Sequence, residues 1–134
     1  MSESNVHIIH SIYAAFGRGD SAGVQHFCAP DTHWDFDVGA SDVPWHRPVH
    51  GVAEVARFLG DFVENVTLEA FEPRELICDG AHVVVHVAIA YTVRRSGRRV
   101  AMDQLHWWSL GGGRVTRLRH FEDTAQVLAA WHDR

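Results

Sequence analysis

The chain has 134 residues, of which 46% are hydrophobic and 22% charged, with a formal net charge of −5 when the histidines are neutral. That length suits one compact domain, residues 1–134, with a core of its own, and the composition excludes global disorder. The acidic balance argues against nucleic acid as a partner, and no apolar run reaches the roughly 20 residues of a membrane span.

Val6, Ile9, Tyr13 and Phe16 recur at spacings of three and four, which predicts an amphipathic first helix stopped by Gly17 and Gly19. Asp20 is placed to cap a short second helix carrying Val24 and Phe27 and ended by Pro30. Residues 33–38 read as a strand, with Trp34 and Phe36 on one face and Asp35 and Asp37 on the other. The segment 40–50 reads as a loop broken by Pro44 and Pro48, in which His46 and His50 are solvated. Val52, Val55, Leu59, Phe62 and Val66 then predict a third helix.

From Thr67 the period shifts towards two. Residues 67–78 predict a strand bent or bulged at Pro73, because proline cannot donate to the ladder. Turns at Asp79-Gly80, Ser96-Gly97 and Gly111-Gly112-Gly113 separate further strands at 82–94, 98–110 and 114–121. Asp123 with Gln126 three residues on matches a capping box for a terminal helix holding Val127, Leu128 and Trp131. Helices segregated on one side of a curved antiparallel sheet make an α+β domain. The three helices of the N-terminal half cannot cover both sheet faces, so the apolar strands favour a homodimer through the outer face, where His82 and His86 also fall. Cys28 and Cys78 form no zinc or redox spacing, and the N-terminus lacks the features of a signal peptide, so the expected location is the cytoplasm.

This order of elements resembles the nuclear transport factor 2-like superfamily over nearly the whole chain. The resemblance is carried by Ile12-Tyr13-Ala14-Ala15-Phe16 leading to Gly19-Asp20, Ala29-Pro30-Asp31 before Trp34, Val43-Pro44-Trp45 before Gly51, and Gly113-Arg114-Val115 before the last strand. Within the superfamily the chain looks most like the SnoaL-like polyketide cyclase and ketosteroid-isomerase-like branch. The resemblance implies a cone-like sheet and a deep, mostly apolar pocket between the helices and its concave face. The scaffold carries isomerases, cyclases, dehydratases, epoxide hydrolases and non-catalytic modules alike. Ketosteroid isomerases place a base aspartate where this chain has Phe36, and an oxyanion-hole tyrosine near Ile12, one residue from Tyr13. SnoaL-like cyclases carry a Gln-x-His pair on the penultimate strand and an acid–base aspartate fourteen residues beyond that histidine. Here Gln104 and His106 match the pair, and His120 stands at the position of the aspartate.

The chemistry of these residues can be read without the family. Gln104, His106 and Trp108 share one strand face, as do Leu118 and His120 on the next strand, and the glycine turn brings His106 and His120 within side-chain reach. Two imidazoles in one apolar pocket resist double protonation. A neutral imidazole is a competent general base, and a second imidazole or an amide N–H can stabilise a developing enolate oxygen. The expected catalytic set is therefore His120 as base, His106 as partner acid or oxyanion donor, and Gln104 as orienting amide. Tyr13, Trp34, Trp45, Trp108 and Leu118 would line the site, and the ligand would be a small apolar molecule bearing a carbonyl. No cofactor is called for. No metal is expected either, since the chain holds no His-Glu-x-x-His or comparable ligand set, and His7 and His10 alone make none.

Three other groups have plainer readings. Asp103 falls on the outer face with Leu105 and Trp107, Asp123 reads as a cap, and Arg94, Arg95, Arg98 and Arg99 read as a solubilising hairpin tip. Asp35 or Asp37 is left open as a pocket residue. A non-catalytic binding or assembly module is the alternative, and epoxide opening would want a carboxylate–arginine–carboxylate set that the pattern does not assemble.

Overall fold

The computed structural model describes residues 2–36 and 38–133. In chain order it has α1 (Ser2–Gly17), α2 (Ser21–His26), β1 (Cys28–Asp35), a 3₁₀ turn (Pro44–His46), β2 (Val49–His50) and a second 3₁₀ turn (Val52–Glu54). There follow α3 (Val55–Asn65), β3 (Val66–Asp79), β4 (His82–Val93), β5 (Arg99–Gly111), β6 (Arg114–Phe121) and α4 (Thr124–His132). The six strands form one curved, unclosed sheet in the order β2-β1-β6-β5-β4-β3, and the helices make it an α+β fold.

Local chemistry sets most of these boundaries. α1 buries Ile9, Ile12 and Ala15, and the chain leaves it through Gly19 at φ +70°, a left-handed conformation that glycine adopts without strain. The Asp20 carboxylate accepts from the Gly23 N–H at 2.8 Å and starts α2. Asp123 does the same for α4, accepting from the Gln126 N–H at 3.2 Å. Replacing Asp123 with alanine should cost about 1 kcal/mol and lower the Tm by a few degrees, measurable by thermal melting. Gly112 and Gly113, both at positive φ, make the two-residue turn that sets β5 against β6.

Several sequence expectations need correction. The second helix stops at His26, and Pro30 lies inside β1, at a register irregularity between Cys28 and His33, where a missing N–H is tolerated. β1 accordingly starts earlier than 33 and ends at Asp35. Asp37 lies outside the described residues. The loop 40–50 contains the short strand β2, antiparallel to β1, and Val66 opens β3 with an extended backbone (φ −133°, ψ 154°) instead of closing α3. The sheet is not wholly antiparallel, because β1 runs parallel to β6. Side-chain alternation reports which face a residue occupies, not which strand lies beside it or in which direction. The bulge at Pro73 is present as a register shift between Pro73 and Glu75.

The core lies between the concave face and α1, α2 and α3, with Ile9, Trp34, Val49, Val55, Val83, Val85 and Val115 at its centre. A second apolar cluster joins Trp45, Phe62, Tyr91 and Val100 to Val127 and Trp131 of α4. The arginines at the β4–β5 tip are held by neighbours: Arg98 pairs with Asp133 at 3.0 Å, Arg99 with Glu69 at 2.9 Å, and Arg95 lies over the Trp131 ring. No helix among the described residues is long and apolar enough to cross a membrane.

Candidate active site

Strand alternation points the odd-numbered residues of β4, the even-numbered residues of β5, and Val115, Leu118 and His120 of β6 into the concave face, the parity of β6 changing next to the register shift at Ser109/Leu110. They meet α1 and α3 around a cavity of about 80 Å³. Its wall is mostly aromatic and includes Tyr13, Trp34, Trp45, Trp108 and Leu118, together with Gln104, His106 and His120. Asp35 lies on the other face of β1, half-buried, away from the cavity wall.

His106 and His120 are direct partners across β5 and β6, and their rings stack at 4.8 Å between centroids. His106 is engaged at both nitrogens. Its Nδ1 lies 2.7 Å from the Tyr13 hydroxyl and its Nε2 lies 2.9 Å from Gln104 Oε1. The Trp108 indole donates to the same Tyr13 oxygen at 3.0 Å. With an amide oxygen at Nε2, that nitrogen carries the proton and Nδ1 accepts from Tyr13, so donors run in one direction from Trp108 through Tyr13 and His106 to Gln104. Burial, and next the charge of His120, hold His106 well below the usual histidine range, against the pull of Glu122. His106 is therefore a neutral ring, which is what this chain of donors requires. Burial also pushes the Tyr13 phenol up, so it stays protonated.

His120 uses a different partner. Its Nε2 lies 3.0 Å from Glu122 Oε1, while the other Glu122 oxygen lies 2.9 Å from Nε2 of His46. The Glu122 side chain is 3% exposed. Burial alone would raise its pKa, but the hydrogen bonds from His120 and His46, with the charges of those two rings, outweigh burial and hold it at about 2. The far nitrogen of His46 lies 2.8 Å from the Ser41 hydroxyl, which accepts from the Val43 N–H at 3.2 Å. The result is a buried chain, Ser41–His46–Glu122–His120, that leaves Nδ1 of His120 as the ring atom not committed to the carboxylate.

Neither Glu122 nor the part played by His46 was anticipated. The proline-broken loop predicts a solvated His46, whereas it is 4% exposed. A signal for Glu122 is present in the sequence: Leu118, His120 and Glu122 continue the period of two one step beyond the predicted strand end at Phe121. Glu122 is, among the described residues, the one carboxylate on the cavity wall and no arginine joins it there, so these residues assemble no carboxylate–arginine–carboxylate set. Among the described residues, no three His, Cys, Asp or Glu side chains are arranged to hold a metal ion.

The comparisons agree with this architecture. A family model described as a SnoaL-like domain matches residues 9–118. A nuclear transport factor 2-like protein from Burkholderia xenovorans LB400 superposes with a TM-score of 0.87 at 27% identity, covering 97% of each chain. TerC, co-crystallized with polyporic acid, superposes with a TM-score of 0.83 at 26% identity over 95% of this chain and 97% of that one. A candidate polyketide cyclase from Xanthomonas campestris pv. campestris shares the fold with a TM-score of 0.76 at 17% identity, covering 96% of this chain and 97% of that one. No curated protein sequence matches the chain. With the fold, the family match and these structural relatives in agreement, the chain belongs to the SnoaL-like branch of the nuclear transport factor 2-like superfamily.

Proposed function

We propose that this protein is a cofactor-free acid–base enzyme, of cyclase, isomerase or dehydratase type, acting on a small, largely apolar carbonyl compound. His120 is the general base, acting through Nδ1. Glu122 positions it by holding the Nε2 proton. His106, neutral, is the oxygen-stabilising partner, delivering its N–H to a substrate oxygen in exchange for the amide oxygen of Gln104, and Gln104 orients it until then. Tyr13, Trp34, Trp45, Trp108 and Leu118 hold the substrate by apolar and ring contacts. The observation that carries the reading is the buried carboxylate at 3.0 Å behind an imidazole whose ring faces an aromatic cavity. That a relative 26% identical was crystallised with polyporic acid supports a small organic ligand.

The test uses 2-indanone, an aromatic ketone with acidified C–H bonds beside its carbonyl, and follows deuterium uptake from D₂O by NMR. The protein should accelerate exchange, and His120→Gln, whose side-chain amide can still donate to Glu122, should reduce the acceleration by roughly 10²- to 10⁴-fold with indanone affinity preserved. Unchanged exchange in that variant overturns the mechanism.

A non-catalytic binding module is the second reading, and a specific observation favours it: both nitrogens of His106 are already satisfied within the protein. On that reading His106→Asn lowers the Tm markedly and the wild type exchanges no deuterium. We also propose a homodimer through the outer sheet face, supported by exposed Ile77 (63%), Leu105 (47%) and Trp107 (37%) there. A cytoplasmic location is supported by the sequence, in which Cys28 and Cys78 form no zinc or redox spacing.

A further inference from the structure

The cavity has a second polar feature that the acid–base scheme does not use. Tyr91 of β4 is 1% exposed and lines the cavity, and its hydroxyl is, among the described residues, the buried side-chain polar atom without a hydrogen-bond partner. Its ring has little freedom, being packed edge-on against Phe62 at 5.4 Å and Trp45 at 6.2 Å. A phenol fixed by its ring and buried without a partner in the protein costs stability, and a ligand acceptor would relieve that cost.

The register separates Tyr91 from His106 along the sheet. Tyr91 faces Val100 across β4 and β5, whereas His106 faces Val85, so the two backbone positions are roughly 20 Å apart along the strands. Glu122 lies close enough for its charge to add to burial in keeping Tyr91 a phenol. A donor beside a buried carboxylate, with no arginine or lysine among the described residues of the wall, suits a neutral oxygen and repels an anionic one.

We infer that Tyr91 is a ligand anchor, donating its hydroxyl proton to a neutral carbonyl or ether oxygen, and that the natural ligand is an uncharged, oxygen-bearing, ring-containing molecule. This deepens the proposed function and rests on it for the identity of the site. The anchoring oxygen sits beside Tyr91, on a wall shared with Glu122, which in turn holds His120.

Three probes of one shape test it by calorimetric titration: 2-indanone with a neutral acceptor, indane with none, and indane-2-carboxylate with an anionic one. The wild type should prefer 2-indanone to indane by roughly tenfold, the worth of one hydrogen bond in such a site, and bind the carboxylate worst. Tyr91→Phe should reduce that preference to within about twofold, leave indane affinity unchanged, and hold or raise the Tm because an unpaired hydroxyl is removed. His120→Gln should keep the preference intact. A preference that survives in Tyr91→Phe overturns the anchor whatever His120→Gln does to exchange. Undetectable binding of 2-indanone, or tighter binding of the carboxylate, overturns the ligand class. Loss of the preference in Tyr91→Phe alongside undiminished exchange in His120→Gln supports the anchor and removes the catalytic scheme.

Discussion

Glu122→Gln should slow deuterium exchange into 2-indanone by roughly 10²- to 10⁴-fold while changing its affinity little. The carboxylate accepts from two imidazoles at once, at 3.0 Å from His120 and 2.9 Å from His46. An amide of the same shape offers one oxygen and one NH₂, so it can accept from only one of the rings and presents hydrogens to the other. If the oxygen stays with His46, the NH₂ faces Nε2 of His120, which must then become the bare nitrogen. The ring proton moves to Nδ1, and the atom that should take a proton already holds one. Changing a carboxylate to an amide behind a catalytic imidazole has cost about 10⁴-fold in serine proteases for the same reason. Histidine ring ¹⁵N shifts separate this from a structural effect, since His120 should change tautomer in Glu122→Gln and keep it in the wild type. An unchanged tautomer with unchanged exchange would remove Glu122 from the mechanism.

How much of this was legible in the sequence depended on whether each residue lay within a periodic segment. Gln104, His106 and Trp108 alternate with outward-facing Leu105 and Trp107, and the glycine turn fixes how β5 folds back on β6, so the stacked imidazoles followed from spacing. Tyr91 continues the inward series Val85, Val87, Ile89 and was equally readable as a position, though nothing in the sequence says that its hydroxyl lacks a partner. Glu122 was lost because the strand period was stopped with the last strand residue, when the alternation carries one step further. His46 was not readable at all. It lies between Pro44 and Pro48 in a segment without period, and its burial depends on the Ser41 hydroxyl and on a carboxylate 76 residues away in sequence. The parallel pairing of β1 with β6 was out of reach for a similar reason, since alternation within a strand does not say which strand lies beside it or in which direction.

The wild type should lose stability steeply as the pH falls from about 4.5 towards 2, and Glu122→Gln should lose much less over that window. A glutamate held at about 2 in the fold, against 4.5 for an ordinary one, is depressed. Its contribution is therefore fully present above the unfolded value and disappears as pH falls through the folded one. That gap corresponds to a contribution on the order of 3 kcal/mol. At pH 7 urea denaturation should accordingly find the variant less stable by a similar amount, since the two buried imidazoles lose the ionised acceptor they share. The difference should shrink towards zero near pH 2. Asp20, Glu54 and Glu69 are also held below their usual range by backbone or side-chain hydrogen bonds, but those groups are exposed and salt screens their ion pairs. Repeating the series in 0.5 M salt should therefore flatten their share and leave the Glu122 difference standing. Parallel acid curves for wild type and variant would mean that the carboxylate is not ionised between its two imidazoles, and the positioning role assigned to it would fall with that ionisation.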